Sequence, residues 1–250
     1  ATLRRQRQMC IRDRNNTMRI SVDAMGGDYA PKEIVRGALD AATTINGLEK
    51  LFLVGDERLI QIELDKSSKE IPDCIEIISA TEVVEMGEAP ASAIRKKKDS
   101  SISRAIDLVK DGKADAIFSA GNTGAAVAAA TLKLRTLEGV NRPAIATVMP
   151  TSKDPFVLLD AGANTDSTPE MLRQFAVMGK IYCKEILGVQ SPRIGLLSIG
   201  EEEAKGNETT KKSFNLLNNL NLNFVGNVEA RDLFGGKVDV AICDGFVGNV

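Results

Sequence analysis

From Met18 onward, short and nearly continuous apolar runs alternate with amphipathic stretches. Ile20 and Val22 give residues 18–22 the β-branched character of a strand. Residues 50–54, 75–78, 115–119, 144–149, 156–159, 193–198 and 238–242 repeat that character. Between them, apolar residues return at helical spacing. Ile34, Val35, Ala38, Leu39, Ala42 and Ile45 share one stripe after Pro31, which opens the first helix. Leu59, Ile60 and Leu64 mark a short helix, and Ile102, Ala105, Ile106 and Val109 mark another. Residues 125–134 read as a helix of small residues, and residues 79–90 as irregular. Thr168-Pro169-Glu170 predicts the start of a long helix that Gly188 closes, and a later helix passes through Phe214, Leu216 and Leu217. Apolar strands alternating with helices are what a parallel sheet covered on both faces requires. The pattern predicts an α/β fold with a doubly wound, largely parallel sheet flanked by helices.

Composition narrows the class. At 250 residues, with 43% hydrophobic and 26% charged, the chain suits a soluble globular protein of one large or two modest domains. No run approaches the ~18 apolar residues of a membrane span, so any membrane contact would be peripheral. Cys10, Cys74, Cys183 and Cys243 lie far apart without a C-x-x-C pair, which points to a reduced, cytoplasmic protein without structural zinc. Histidine is absent, which excludes Ser-His-Asp and Cys-His catalysis and any histidine metal site. No metal and no cofactor is expected.

The net charge of −2 hides an asymmetry. Residues 1–17 carry Arg4, Arg5, Arg7, Arg12 and Arg14 against Asp13, a leader of +4 ahead of a body of −6. The acidic body argues against nucleic-acid binding. The leader lacks the apolar core of a secretory signal. A transit peptide is one reading of it. The other is that Met9-Cys10-Ile11-Arg12-Asp13-Arg14 resembles translated adapter sequence and that Met18 is the natural start. Residues 1–17 are therefore expected to be a non-native or disordered leader, outside a domain spanning 18–250.

Five of the predicted strands end in turns that carry glycine beside a carboxylate or an amide. The first is Asp23-Ala24-Met25-Gly26-Gly27-Asp28, where glycine admits backbone N–H groups close to a ligand and the following helix N-terminus favours an anion. Its plainer reading is a tight turn with Asp28 as helix cap. The others are Ser119-Ala120-Gly121-Asn122-Thr123-Gly124, Asp160-Ala161-Gly162-Ala163-Asn164, residues 200–208, and Asp244-Gly245-Phe246-Val247-Gly248-Asn249. Strand carboxyl ends border the ligand crevice of a doubly wound sheet, so the five turns are expected to share one site. None matches G-x-x-x-x-G-K-[ST] or a clear G-x-G-x-x-G, which leaves a P-loop or dinucleotide site unsupported.

Taken together, these motifs resemble those of the bacterial phosphate acyltransferase family PlsX, over residues 18–250 and in that family's order and spacing. The resemblance implies a fold similar to phosphotransacetylase and isopropylmalate dehydrogenase. It implies a transferase that moves a fatty acyl group from acyl carrier protein to inorganic phosphate. The acyl phosphate would feed a membrane glycerol-phosphate acyltransferase in phospholipid synthesis. It further implies a homodimer, cytoplasmic or peripheral at the inner face of the cell membrane. Two departures stand out. Tyr29 replaces the histidine that many members carry, and the chain stops at Val250 inside the last motif. The chain is therefore expected to be truncated at its C-terminus, lacking helices that would help close the sheet, the dimer and the membrane-facing surface.

Phosphate is already nucleophilic at neutral pH and a thioester has a good leaving group, so the protein need only hold, align and stabilise charge. The candidate phosphate-binding residues are Gly26, Gly27, Gly121, Thr123, Gly124, Gly162, Gly206, Gly245 and Asn249. Asn122, Asn164 and Asn207 are candidate neutral donors, and Lys205 is the candidate cation, though it reads equally as a solvated loop lysine. Asp23, Asp28, Asp160 and Asp244 either orient Lys205 or supply one base for phosphate, with no ranking among them. Arg95, Lys96, Lys97 and Lys98 read either as a solvated helix face or as a basic surface for the acidic carrier protein or an anion. Cys243 reads as a buried strand-end thiol rather than a nucleophile. The competing functions are a short-chain phosphotransacylase acting on acyl-CoA, an inactive scaffold that binds carrier protein, and a dehydrogenase of similar fold.

Overall fold

The computed structural model describes residues 17–67 and 70–249. The leader, apart from Thr17, and Cys10 with it, lie outside the described residues. The chain divides at Arg135 into two compact units. In the first, β1 (Met18–Asp23), β2 (Leu48–Gly55), β3 (Ile75–Ser79) and β4 (Ala116–Phe118) form a wholly parallel sheet in the order β3-β2-β1-β4. Its helices are α1 (Lys32–Thr44), α2 (Glu57–Asp65), α3 (Pro90–Lys96), α4 (Ser101–Lys110) and α5 (Thr123–Lys133). Both sheet faces are covered. Val22, Leu39, Leu53 and Ile60 pack in one layer, and Phe52, Val54, Ala105 and Leu108 in another. Double burial explains why β2 is apolar over consecutive residues rather than alternating. Strands are added outward from β1 to β3, and the chain then returns to place β4 on the other side of β1. Such a reversal leaves a crevice at the strand ends.

The second unit carries β5 (Ala146–Met149), β6 (Phe156–Leu159), β7 (Ile194–Leu197), β8 (Phe224–Val228) and β9 (Val240–Ile242) in the order β5-β6-β9-β7-β8. Only β5 is antiparallel to its neighbour. Its helices are α6 (Pro169–Leu187), α7 (Glu208–Asn218), α8 (Ala230–Leu233) and α9 (Gly245–Gly248). Thr168 Oγ1 caps α6 by accepting from the Met171 N–H at 3.3 Å, and Gly188, at φ 74°, ends it in the left-handed conformation. Leu172, Phe175, Ala176 and Cys183 of α6 are buried with Val157, Leu159, Val240 and Ile242. Gly179 lets the helix lie close to the sheet, since a Cβ there would come within 2.6 Å of Val240 Cγ1. In this sheet the strand order reverses between β7 and β9. Among the described residues no helix is long and apolar enough to cross a membrane.

The α/β class and the parallel pairing agree with the sequence, but the strands fall into two sheets rather than the single one expected. Strand–helix alternation is the same in either arrangement and says nothing of where a sheet is interrupted. Residues 79–90 are irregular as expected, but Pro90 begins the helix α3 instead of merely closing that stretch.

Arg193, ahead of β7, clasps Asp239, ahead of β9. Its Nη2 donates to Oδ1 at 2.8 Å, its Nε to Oδ2 at 3.0 Å and its backbone N–H to Oδ2 at 2.7 Å. Burial alone would raise the Asp239 pKa, but these Arg193 hydrogen bonds outweigh it and hold the carboxyl below its ordinary value of 3.8. A depressed carboxyl contributes stability above its unfolded pKa and loses it as pH falls through the folded one. Asp239→Asn is therefore expected to be less stable at neutral pH and to show a shallower loss of stability below about pH 4. Denaturant unfolding across that range measures this, and identical slopes would dismiss the pair as a source of acid lability.

Candidate active site

In the first unit, β1 and β4 end side by side, Val22 pairing with Phe118. Asp23 closes β1 and is buried. Ser119 follows β4; its hydroxyl donates to Asp23 Oδ2 at 2.7 Å and accepts from the Gly121 N–H at 3.1 Å. The two glycine turns touch, because a Cβ on Gly26 would stand 2.6 Å from Asp23 Oδ2 and 2.8 Å from the Gly121 nitrogen. Gly27 needs its freedom for a different reason, a φ of 105°. Sequence reasoning did not single out Ser119, whose only signal is its place at the strand end.

Asn122 caps α5, its Oδ1 accepting from the Ala125 N–H at 3.0 Å. Its Nδ2 donates to the carbonyls of Glu85, Met86 and Glu88 at 3.3, 3.0 and 3.1 Å. That amide is engaged in holding residues 85–88 against the helix start. Thr123 and Gly124 are exposed in the first turn of α5. Asp28 is exposed and does not cap α1, where Pro31 takes the N-cap position without a side-chain bond. Lys97 donates to the Val83 carbonyl at 2.6 Å and pairs with Glu88, whose carboxyl it holds below the usual range. Arg95, Lys96 and Lys98 are exposed.

In the second unit, the turns after β6 and β9 interlock around Asp160, which is fully buried. One of its oxygens accepts from the N–H groups of Ile145 and Ala163 at 2.9 and 3.0 Å. The other accepts from the Asn164 N–H and side-chain amide at 2.7 and 2.8 Å. The carboxylate is thereby committed to organising its turn. Gly245 donates its N–H to the Asn164 carbonyl at 2.7 Å, and a Cβ there would lie 2.8 Å from the Asn164 nitrogen. Gly162, at φ 110°, faces Asn249, whose Oδ1 would lie 3.3 Å from an added Cβ. Asp244 caps α9, its Oδ1 accepting from the Val247 N–H at 2.9 Å. Cys243 is buried at the end of β9; burial first, then the charge of Asp244, push its thiol up to about 12. It stays protonated and is no nucleophile.

Where the strand order reverses between β7 and β9, a cavity of about 450 Å³ opens. Ser198 lines it from the end of β7, Cys243 and Asp244 from the end of β9, and Gly206, Asn207, Thr209 and Thr210 from the start of α7. Asn207 caps that helix, its Oδ1 accepting from the Thr210 N–H at 2.8 Å and hydroxyl at 3.0 Å. The positive end of an eleven-residue helix thus abuts the cavity. Lys205 directly precedes Gly206, is exposed, and among the described residues makes no side-chain hydrogen bond or ion pair.

The Lys205 N–H donates at 2.9 Å to the Glu202 carbonyl, which also accepts from Asn227 Nδ2 at 3.0 Å. Asn227, 3% exposed on β8, anchors this turn from beneath. Sequence reasoning missed it because it missed β8. The signal that could have found it is an amide set in the otherwise apolar run Phe224-Val225-Gly226-Asn227-Val228. The five glycine turns therefore gather as two in the first unit and three in the second.

Residues 18–250 match the family described as fatty acid synthesis protein. The phosphate acyltransferase of Pelotomaculum thermopropionicum is 56% identical over 233 residues, covering 93% of this chain and 67% of that protein. That of Desulforamulus reducens is also 56% identical over 233 residues, with 93% and 69% covered. Among solved structures, EutD phosphotransacetylase from Staphylococcus aureus superposes with a TM-score of 0.66 at 18% identity, over 93% of this chain and 79% of its own. A branched-chain phosphotransacylase from Enterococcus faecalis V583 gives 0.56 at 15%, over 92% and 81%. Identities this low establish likeness of fold alone.

Proposed function

The chain belongs to the phosphate acyltransferase family, and from that premise we propose that it transfers a fatty acyl group from acyl carrier protein to inorganic phosphate at the cavity between β7 and β9. One observation carries the placement: the first turn of α7, capped by Asn207, lines the cavity, and Lys205, directly before it in the chain, has no side-chain partner among the described residues. Backbone N–H groups and Lys205 hold the phosphate there and offset its charge. A phosphate oxygen attacks the thioester carbonyl carbon, the C–S bond breaks, and the thiolate leaves on the carrier. Asp244 lines the cavity and, among the described residues, only its Oδ1 is engaged, in capping, which leaves Oδ2 to take a proton from the monoanionic form of phosphate. Gly26, Gly27, Gly121, Thr123 and Gly124 remain proposed phosphate-binding positions of the first unit. Arg95, Lys96 and Lys98 are proposed as the surface for the acidic carrier, since Lys97 already has its partners. Free thiols at Cys74, Cys183 and Cys243 fit a reducing, cytoplasmic setting.

The test supplies the chain with inorganic phosphate and either an acyl carrier protein thioester or an acyl-CoA, and traps acyl phosphate with hydroxylamine. Acyl phosphate is expected from the carrier thioester in preference to the CoA ester. Product from acyl-CoA alone would favour the short-chain phosphotransacylase, and product from neither would favour the scaffold.

A further inference from the structure

We propose that Ile199, Phe246 and Val247 form an apolar lip at the mouth of this cavity and take the acyl chain of the substrate, an inference that rests on the cavity's reading as the phosphate site. Ile199 is 82% exposed, Phe246 65% and Val247 45%. They are not scattered. Ile199 follows Ser198 at the end of β7, Phe246 and Val247 lie in α9 at the end of β9, and these two strands are hydrogen-bonded neighbours. Ile199 and Val247 both line the cavity that Asn207 and Thr210 also line.

The build of α9 explains the outward placement. Gly245 and Gly248 form its inner face, packed so closely on Asn164 and Asp160 that neither has room for a side chain. The two residues between them are left to face solvent and, for Val247, the cavity. Folding gains nothing from three large apolar side chains in water, whereas acyl phosphate has a charged head and an apolar tail. With the head at the start of α7, the tail has to leave along the cavity wall, and the lip is the apolar path out. Sites of this kind fix orientation with a few polar groups and hold the rest of the ligand on apolar surface.

Alkyl phosphonates of four and twelve carbons, stable mimics of the product, test the idea by calorimetric titration. The wild-type chain is expected to bind the longer one at least roughly tenfold more tightly, as burial of even part of the added chain requires. Ile199→Ser combined with Phe246→Ser is expected to remove most of that gap, as is Val247→Ser. These positions are exposed, and unchanged thermal melting confirms that the variants fold. A gap that survives the substitutions, or is missing from the wild type, overturns the lip and leaves the phosphate site standing. If inorganic phosphate does not compete with either phosphonate, the phosphate reading falls and the lip with it.

Discussion

Lys205→Ala is expected to raise the Michaelis constant for phosphate and to lower turnover by roughly 10²–10³-fold, the usual cost of removing one charge-stabilising donor. The expectation follows from what surrounds the residue. Its backbone is fixed, through a Glu202 carbonyl that Asn227 also holds, while its ammonium has no protein partner among the described residues. A loop anchored at the main chain and open at the charged tip suits a group reserved for a ligand. Lys205→Arg should not restore full rate, because a forked guanidinium presents its donors differently from a compact ammonium. Lys184→Ala, exposed on the neighbouring helix α6, serves as control and should be near neutral. Steady-state rates of acyl phosphate formation at varied phosphate decide the matter. Wild-type kinetics would return Lys205 to the role of a solvated loop lysine and leave the start of α7 as the phosphate cradle.

The largest loss of stability is expected from Asp160→Ala. Four donors converge on this buried carboxylate, and alanine would leave the N–H groups of Ile145, Ala163 and Asn164 without it at once. Each buried donor left unpaired costs about 1–3 kcal/mol, so a total of about 3 kcal/mol or more is expected. In a chain of this length that lowers the melting temperature by roughly 6 °C or more. Asp160→Asn should fall between the two, since it keeps one acceptor oxygen and turns an amide donor toward other donors. Thermal unfolding followed by circular dichroism measures the series. An unchanged melting temperature for Asp160→Ala would mean that the backbone holds the turn unaided.

Legibility from sequence followed burial. Strands closed by a glycine turn stood out where, as in β6 before Asp160, a doubly buried strand is apolar at every position and its turn is not. β8 did not, since Gly226 and Asn227 interrupt its apolar run, although Asn227 lies in the interior. Pro90 looked like the end of an irregular stretch, yet proline also suits the first position of a helix. The residues of the candidate site were legible as types and places, but their partners were not. Nothing in the string of letters distinguishes Asp160, saturated by four donors, from Asp244, which keeps an oxygen at the cavity. Nor does it separate Lys97, clasped by Glu88, from the exposed Lys96 and Lys98 beside it. Partnership arises from the long-range packing of turns, and local pattern carries no record of it.

The protonated state of Cys243 has a consequence for the order of events. A thiol at the site of a thioester reaction invites transfer of the acyl group to the protein, followed by release to a second substrate. With its thiol pushed up to about 12, Cys243 is almost wholly protonated at neutral pH and a poor acceptor for that route. At Cys243, then, the acyl group finds no resting place, and its chemistry favours the direct route proposed above, from thioester to phosphate. Direct transfer leaves no acylated Cys243 for water to intercept, and the energy of the thioester passes to the mixed anhydride that leaves.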